Sequence, residues 1–237
     1  MRRPHSHNLS RAVERMHSKI AWETFETRVI NLIENFSCPD IMELGGGRKP
    51  LFTPNKIPQI VNSYTINDIS QHELDRLTPD YKRAQFDVCG NIDGHESQYD
   101  IIFSKMLVEH VPDGQQLHQN VHKMLKPGGI AFHFHPKLYA FPFVINKLLP
   151  EILSSRLLIF FFPERKTALP KFPARYSWCK GSIKSTRKRL KTIGFSHTTV
   201  EAFYGHGYYK SIPLLNNIEK TTSFVCHRYN ISMFAPY

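Results

Sequence analysis

A doubly wound α/β fold with a mostly parallel sheet is predicted by three features. Short apolar strand patterns alternate with helical ones over residues 38–136. A strand runs directly into a glycine cluster, Ile41-Met42-Glu43-Leu44-Gly45-Gly46-Gly47. Later strand patterns end on polar residues, as carboxyl edges of parallel sheets do when they carry a site.

The elements follow in order. Residues 10–36 read as a helix that lids or packs on the core, with Ser10 able to cap it and apolar residues at Val13, Ile20, Trp22, Phe25, Val29, Ile30 and Ile33. Ile41–Leu44 is the first strand. Ile60–Ile66 reads as the second, ending at Asn67-Asp68, and Ala84–Val88 as the third. Tyr99–Ser104 is the fourth. Residues 114–125 have a helical pattern through Leu117, Val121, Met124 and Leu125, ended by Lys126-Pro127-Gly128-Gly129. Ile130–His135 is the fifth strand. Residues 137–180 form an aromatic- and proline-rich insertion, expected as a helical lid on the acceptor side. Ser182–Ile193 reads as a basic helix closed by Gly194. Phe195–Phe203 and Ser223–Tyr229 are expected as two last strands, giving seven in all. The whole of 1–237 is expected to form a single domain.

Composition narrows the classes. With 41% hydrophobic and 12% aromatic residues, the chain has enough apolar material for a core and is not a disordered sequence. Cys38, Cys89, Cys179 and Cys226 are scattered without a Cys-x-x-Cys pair, so neither a zinc site nor a disulfide framework is signalled, and free thiols in a reducing cytoplasm are expected. The basic start is followed by no long apolar stretch, so no secretory signal is read there. The most apolar region, 138–162, is broken by Asn146, Lys147, Pro150, Glu151 and Arg156 and does not read as a spanning helix. Its run Leu157–Phe162, beside Arg156, Arg165 and Lys166, reads either as a packed helix or as a surface meeting a membrane or lipid-like acceptor.

The formal charge of +11 is unevenly distributed. Residues 1–120 carry −3 and residues 121–237 carry +14. A half this basic attracts anions such as nucleic acid, acidic lipid headgroups or a phosphorylated or acidic small substrate.

The residues suited to chemistry sit at strand ends. A glycine cluster lets backbone approach a ligand closely because no Cβ intervenes. Asp68, 21 positions after Gly47, closes the second strand and can accept both ribose hydroxyls of an adenosine, or merely cap the next segment. Asp87, flanked by Val88, can accept from an adenine amino group, with Asp93 a competitor. His133 and His135 alternate on the fifth strand and so share a face. No third ligand at supporting spacing accompanies them, so no metal site is expected. Tyr176 and Trp178, beside Lys171 and Arg175, suit a sugar, a lipid headgroup or a base, and equally a lid.

Five pieces in order carry a resemblance. They are Glu43-Leu44-Gly45-Gly46-Gly47, the Asp68 strand end, Tyr99-Asp100-Ile101-Ile102-Phe103-Ser104, Val108-Glu109-His110-Val111-Pro112-Asp113 and Met124-Leu125-Lys126-Pro127-Gly128-Gly129. Over residues 38–136 the chain resembles the class I S-adenosylmethionine (SAM)-dependent methyltransferases, specifically the type 11 group of small-molecule enzymes. The resemblance implies a Rossmann-like fold and a SAM site, with S-adenosylhomocysteine as product. Gly45, Gly46 and Gly47 would run beneath the methionine part of SAM and Glu43 would face its amino group. Asp68 and the adjoining Ile69 would hold the adenosine side, Asp87 and Val88 would flank the adenine, and Ser104 would offer backbone to the methionine. Glu109 and His110 would lie beside the transferred methyl group. His110 and His135 are the candidate catalytic residues; His133, Tyr176 and Trp178 are candidates for acceptor contact. One departure stands out: Lys49-Pro50 replaces the family's usual further glycine, so an irregular loop is expected where the first helix would begin.

The function expected is methyl transfer to a small-molecule acceptor of anionic, glycan- or lipid-linked character, in the cytoplasm or peripheral to a membrane. An RNA methyltransferase is the alternative that the charge supports. A non-catalytic methyltransferase-like binding protein is the alternative that Lys49 supports.

Overall fold

The computed structural model describes residues 17–140, 143–144, 173–209 and 212–237. The Ser10 cap and the Leu157–Phe162 run lie outside the described residues, as does most of the insertion. In chain order the elements are α1 (Ser18–Ile33), β1 (Asp40–Leu44), β2 (Ser63–Asp68), α2 (Gln71–Leu74), β3 (Lys82–Gln85), β4 (Tyr99–Lys105), α3 (Gly114–Met124), β5 (Leu125–Phe134), α4 (Ile183–Ile193) and α5 (Pro213–Arg228).

The five strands form one sheet in the order β3-β2-β1-β4-β5, and every pairing is parallel. Side chains alternate across a strand, and here they fill two cores. Ile41 of β1 and Ile101 and Phe103 of β4 face one side, where α1 lays Ala21, Phe25, Val29 and Ile33 against them. Met42, Leu44 and Ile102 face the other, where α3 contributes Leu117, Val121 and Met124. On β5, Phe132 and Phe134 pack toward α1: Phe132 stacks on Phe25 (5.3 Å between centroids) and Phe134 meets Trp22 edge-on (5.2 Å). His133 therefore points to the α3 side.

Helix ends follow local chemistry. Asp113 caps α3 by accepting from the amides of Gln115 (2.8 Å) and Gln116 (3.0 Å). Ser182 caps α4, and Gly194, at φ 127°, closes it as expected. The N-cap of α1 is His17, whose ring accepts from the amide of Lys19.

Three sequence expectations are corrected. The sheet holds five strands among the described residues, not seven. Residues 195–203 contain no strand, and Ser223–Tyr229 lies on α5 and its C-cap. Pro213 at the first helical turn pre-sets φ for a helix there, and the run Phe224-Val225-Cys226 imitates a strand only over its own short length. Phe203 and Tyr237 do exchange backbone hydrogen bonds (2.8 and 3.4 Å), a single pair without a ladder. Lastly, Lys126–Gly129 ends α3 but already belongs to β5, whose pairing with β4 shifts register between Tyr99 and Ile101. A β-bulge absorbs the proline and glycines there.

Candidate functional site

The site is assembled at the carboxyl edge of β1, β2, β4 and β5. At the end of β1 the chain turns sharply. Gly45 has φ 68° and Gly47 φ 47°, both in the left-handed region that glycine tolerates. The space above the turn is also closed to side chains. A Cβ on Gly45 would stand 2.9 Å from Leu107 Cδ1, and one on Gly46 would stand 2.9 Å from Ile66 Cγ2. The Gly46 amide donates to the Asn67 carbonyl (3.1 Å), tying the turn to β2. No α-helix follows β1: up to β2 there is only the 3-10 turn Pro54–Lys56, as Lys49-Pro50 led one to expect.

The Asp68 carboxylate lies over this turn. Its Oδ2 is 3.0 Å from the point where a Gly47 Cβ would be, while Oδ1 accepts from the Ser70 amide (2.9 Å). Burial, with help from the charge of Glu73, raises the Asp68 carboxyl above the ordinary aspartate range. Next to it Ile69 is 64% exposed, an apolar side chain presented at the rim. Glu43 sits beneath the turn rather than in the open. Its Oε2 accepts from the Leu51 amide (2.9 Å) and from the Tyr64 hydroxyl. Burial pushes its carboxyl up to about 7.

Asp87 is exposed, and its Oδ1 accepts from the Cys89 amide (2.9 Å), which shapes the turn after β3. Val88 is buried, with its carbonyl receiving the Asn120 amide nitrogen (2.8 Å). Ser104 is fully buried at the end of β4, and its Oγ pairs with His133 Nδ1 (2.8 Å).

On the α3 side, three histidines come together that the sequence linked only in part. His133 and His135 share a face, as their spacing requires. His118, from α3, packs edge-on to His133 (5.4 Å between centroids) and also meets Trp178 (5.6 Å). Burial is the main cause that keeps all three neutral: His118 falls to about 4, helped by His135, His133 lies well below its ordinary value, helped by His118 and His135, and His135 is lowered too, with help from Lys137. Trp178 rests on the start of α3, where Gly114 leaves room for it, and the Arg189 guanidinium lies 5.5 Å over its ring. Among the described residues no three His, Cys, Asp or Glu side chains converge as metal ligands.

The turn after β4 carries Glu109, which the resemblance set beside the transferred methyl group and whose burial only the fold reveals. Glu109 is 2% exposed, and neither carboxyl oxygen has a side-chain or backbone partner of normal hydrogen-bond geometry. His110 Nε2 stands 3.6 Å from Oε1. Burial pushes the Glu109 carboxyl up to about 8. The Glu109 carbonyl receives the amides of Arg175 (2.7 Å) and Tyr176 (2.9 Å), so the end of the insertion docks directly over this turn. Tyr176, at φ 53°, is buried in the first core against Phe143. His110 holds the Pro173 carbonyl (3.1 Å) through Nδ1. Lys105, at the end of β4, is another polar group that only the fold reveals. Its ammonium lies over the Trp22 (4.8 Å) and Phe25 (5.2 Å) rings.

Residues 43–133 match the family model described as "Methyltransferase domain". That segment, rather than the whole chain, is what is similar to the family. SAM is the cofactor that the sequence resemblance implies. The residues fit that group: a turn that only glycine can make lies beside the half-buried Asp68 carboxylate and an exposed apolar rim. Two solved structures share the fold. A SAM-dependent methyltransferase from Archaeoglobus fulgidus is 15% identical, with 90% of each chain covered and a TM-score of 0.50. A methyltransferase structure (BH2331) from Bacillus halodurans C-125 is 12% identical, with 83% of this chain and 82% of that one covered and a TM-score of 0.51. The trans-methyltransferase CalH, solved with S-adenosylhomocysteine, is 19% identical over 43% of this chain, with a TM-score of 0.38, and this chain spans 33% of that protein. Comparison with curated protein sequences gave no match.

Proposed function

We propose that the chain transfers a methyl group from SAM to a small-molecule acceptor that is anionic and lipid- or glycan-linked. The juxtaposition of Asp68 Oδ2 with the Gly45–Gly47 turn carries the cofactor half of this reading. The +14 charge of residues 121–237 supports an anionic acceptor.

In this reading the glycine turn gives the methionine end of SAM access to backbone, and Asp68 accepts from the ribose hydroxyls. Ile69 and Val88 offer apolar contact to the adenine, with Asp87 at its edge. Glu43 works indirectly, holding Tyr64 and Leu51 so that the turn keeps its shape. Bound SAM supplies a methyl group already activated by a positive sulfonium, so alignment is the protein's main task. A proton must also leave when the acceptor is a hydroxyl, and the Glu109 carboxyl and neutral His110 are the groups placed to take it. With a value of about 8, the Glu109 carboxyl can exchange a proton at physiological pH. His133 and Trp178, which both pack on His118 on the α3 side, and His135 on the same face as His133 are the candidates for acceptor contact.

The test is transfer of radiolabel from methyl-labelled SAM to a panel of anionic glycans, lipid-linked glycans and RNA. Label in the glycan or lipid fractions, abolished by Asp68→Ala, is expected. Label in RNA alone would replace this reading with nucleic-acid methylation.

A further inference from the structure

Helix α5 is amphipathic the wrong way round. The one residue it buries is an acid, Glu219. Glu219 Oε1 accepts from the His206 amide (3.2 Å) and the Ser223 hydroxyl (2.8 Å), which holds it inward. The apolar residues look out. Leu214, Ile218, Val225 and Tyr229 recur at helical spacing along one exposed stripe, and Met233 and Phe234, just beyond the helix, are exposed as well. Leu214 and Tyr229 are each 71% exposed. Scattered exposed apolar residues need no explanation, but a contiguous stripe marks an interaction surface.

The surroundings of the stripe say what it meets. From residue 180 onward the chain holds nine Lys and Arg against two acids, Glu201 and Glu219. Neither acid offsets the charge at this surface: Glu201 is tied to Arg28 (2.8 Å) and Glu219 is buried. The basic helix α4 is joined to the end of α5. Ile183 and Cys226 pack on the same small cluster, and the Ile183 amide donates to Ser232 Oγ (3.2 Å). Lys184, Arg187, Lys188 and Lys191 of α4 are exposed, and none makes an ion pair among the described residues. A second copy of the chain would bring like charge against like. An anionic bilayer would neutralise it while burying the stripe.

We infer that α5 and the segment to Phe234 dock on an anionic lipid surface, with the stripe entering the interfacial zone and α4 meeting the headgroups. This surface is distinct from the carboxyl-edge site and does not depend on methyl transfer. The test is co-sedimentation of the full chain, without SAM, with vesicles of phosphatidylcholine alone and of phosphatidylcholine mixed with phosphatidylglycerol. Binding to the mixed vesicles is expected, weakened on the order of tenfold or more by Ile218→Ser/Val225→Ser and also weakened by Lys184→Glu/Lys188→Glu. All four side chains are exposed, so unchanged circular dichroism and melting would accompany the loss. Equal binding to both vesicle types, or binding indifferent to the serine pair, would overturn the inference. So would a concentration-dependent dimer in sedimentation velocity that the serine pair dissolves, since the stripe would then be a protein interface.

Discussion

Replacing Glu109 by Gln should stabilise this protein at alkaline pH and leave it nearly unchanged in mild acid. The carboxyl is 2% exposed with no partner of normal geometry, and burial raises it from 4.5 to about 8. Between those values the unfolded chain has released the proton while the native state still holds it. The native state binds more protons, so stability falls as pH rises. Above about pH 8 the full penalty is present; below about 4.5 it is absent. At roughly 1.4 kcal/mol per unit, the span gives a penalty of about 5 kcal/mol, an upper value because the site can relax around the charge. Glutamine keeps the shape and stays neutral, so it should show no such loss. Urea unfolding of both proteins at pH 5, 6.5 and 8 measures it. The two should be close at pH 5 and diverge steadily to pH 8, with the variant more stable. Parallel pH dependence in the two would refute the placement of an unsatisfied carboxyl at this turn. The same variant bears on chemistry: it should keep SAM binding and lose turnover on hydroxyl acceptors.

Other perturbations have definite outcomes. Gly47→Ala puts a Cβ at φ 47° and 3.0 Å from Asp68 Oδ2, so it should cost about 1–2 kcal/mol in thermal unfolding and weaken SAM binding measured by calorimetry. Phe25→Ala removes a ring that is 1% exposed and packed against Phe103, Phe132 and Phe134, and should cost about 3–5 kcal/mol in urea unfolding. Asp113→Ala removes the α3 cap and should cost about 1 kcal/mol by the same measure.

The central strands were legible because apolar pattern and burial coincide. Ile41 and Met42 lie on opposite faces and each meets a core, so the run must be apolar throughout. α4 was legible from Ser182 and Gly194, residues whose side chain or lack of one acts locally. The misread strand at 223–229 has the opposite character. Its outward Phe224 and Val225 follow no buried face, so their hydrophobicity carried no signal about which element holds them. At the site, Gly45, Gly47 and Asp68 could be named in advance because strand ends place them. His118 could not, since only the packing of α3 on β5 brings it to His133. The unsatisfied state of Glu109 likewise arises from the docking of residues 173–176 over its turn, a contact spanning more than sixty residues.

The most direct test is titration of SAM and S-adenosylhomocysteine into the wild-type chain and Asp68→Ala by calorimetry. Saturable binding to the wild type, lost or weakened on the order of a hundredfold in Asp68→Ala, is the predicted result, since a ribose held by a charged acceptor loses about 1.5–3 kcal/mol with it. Absence of binding to the wild type, or equal binding to both proteins, would contradict a cofactor site built on the Asp68–Gly47 juxtaposition.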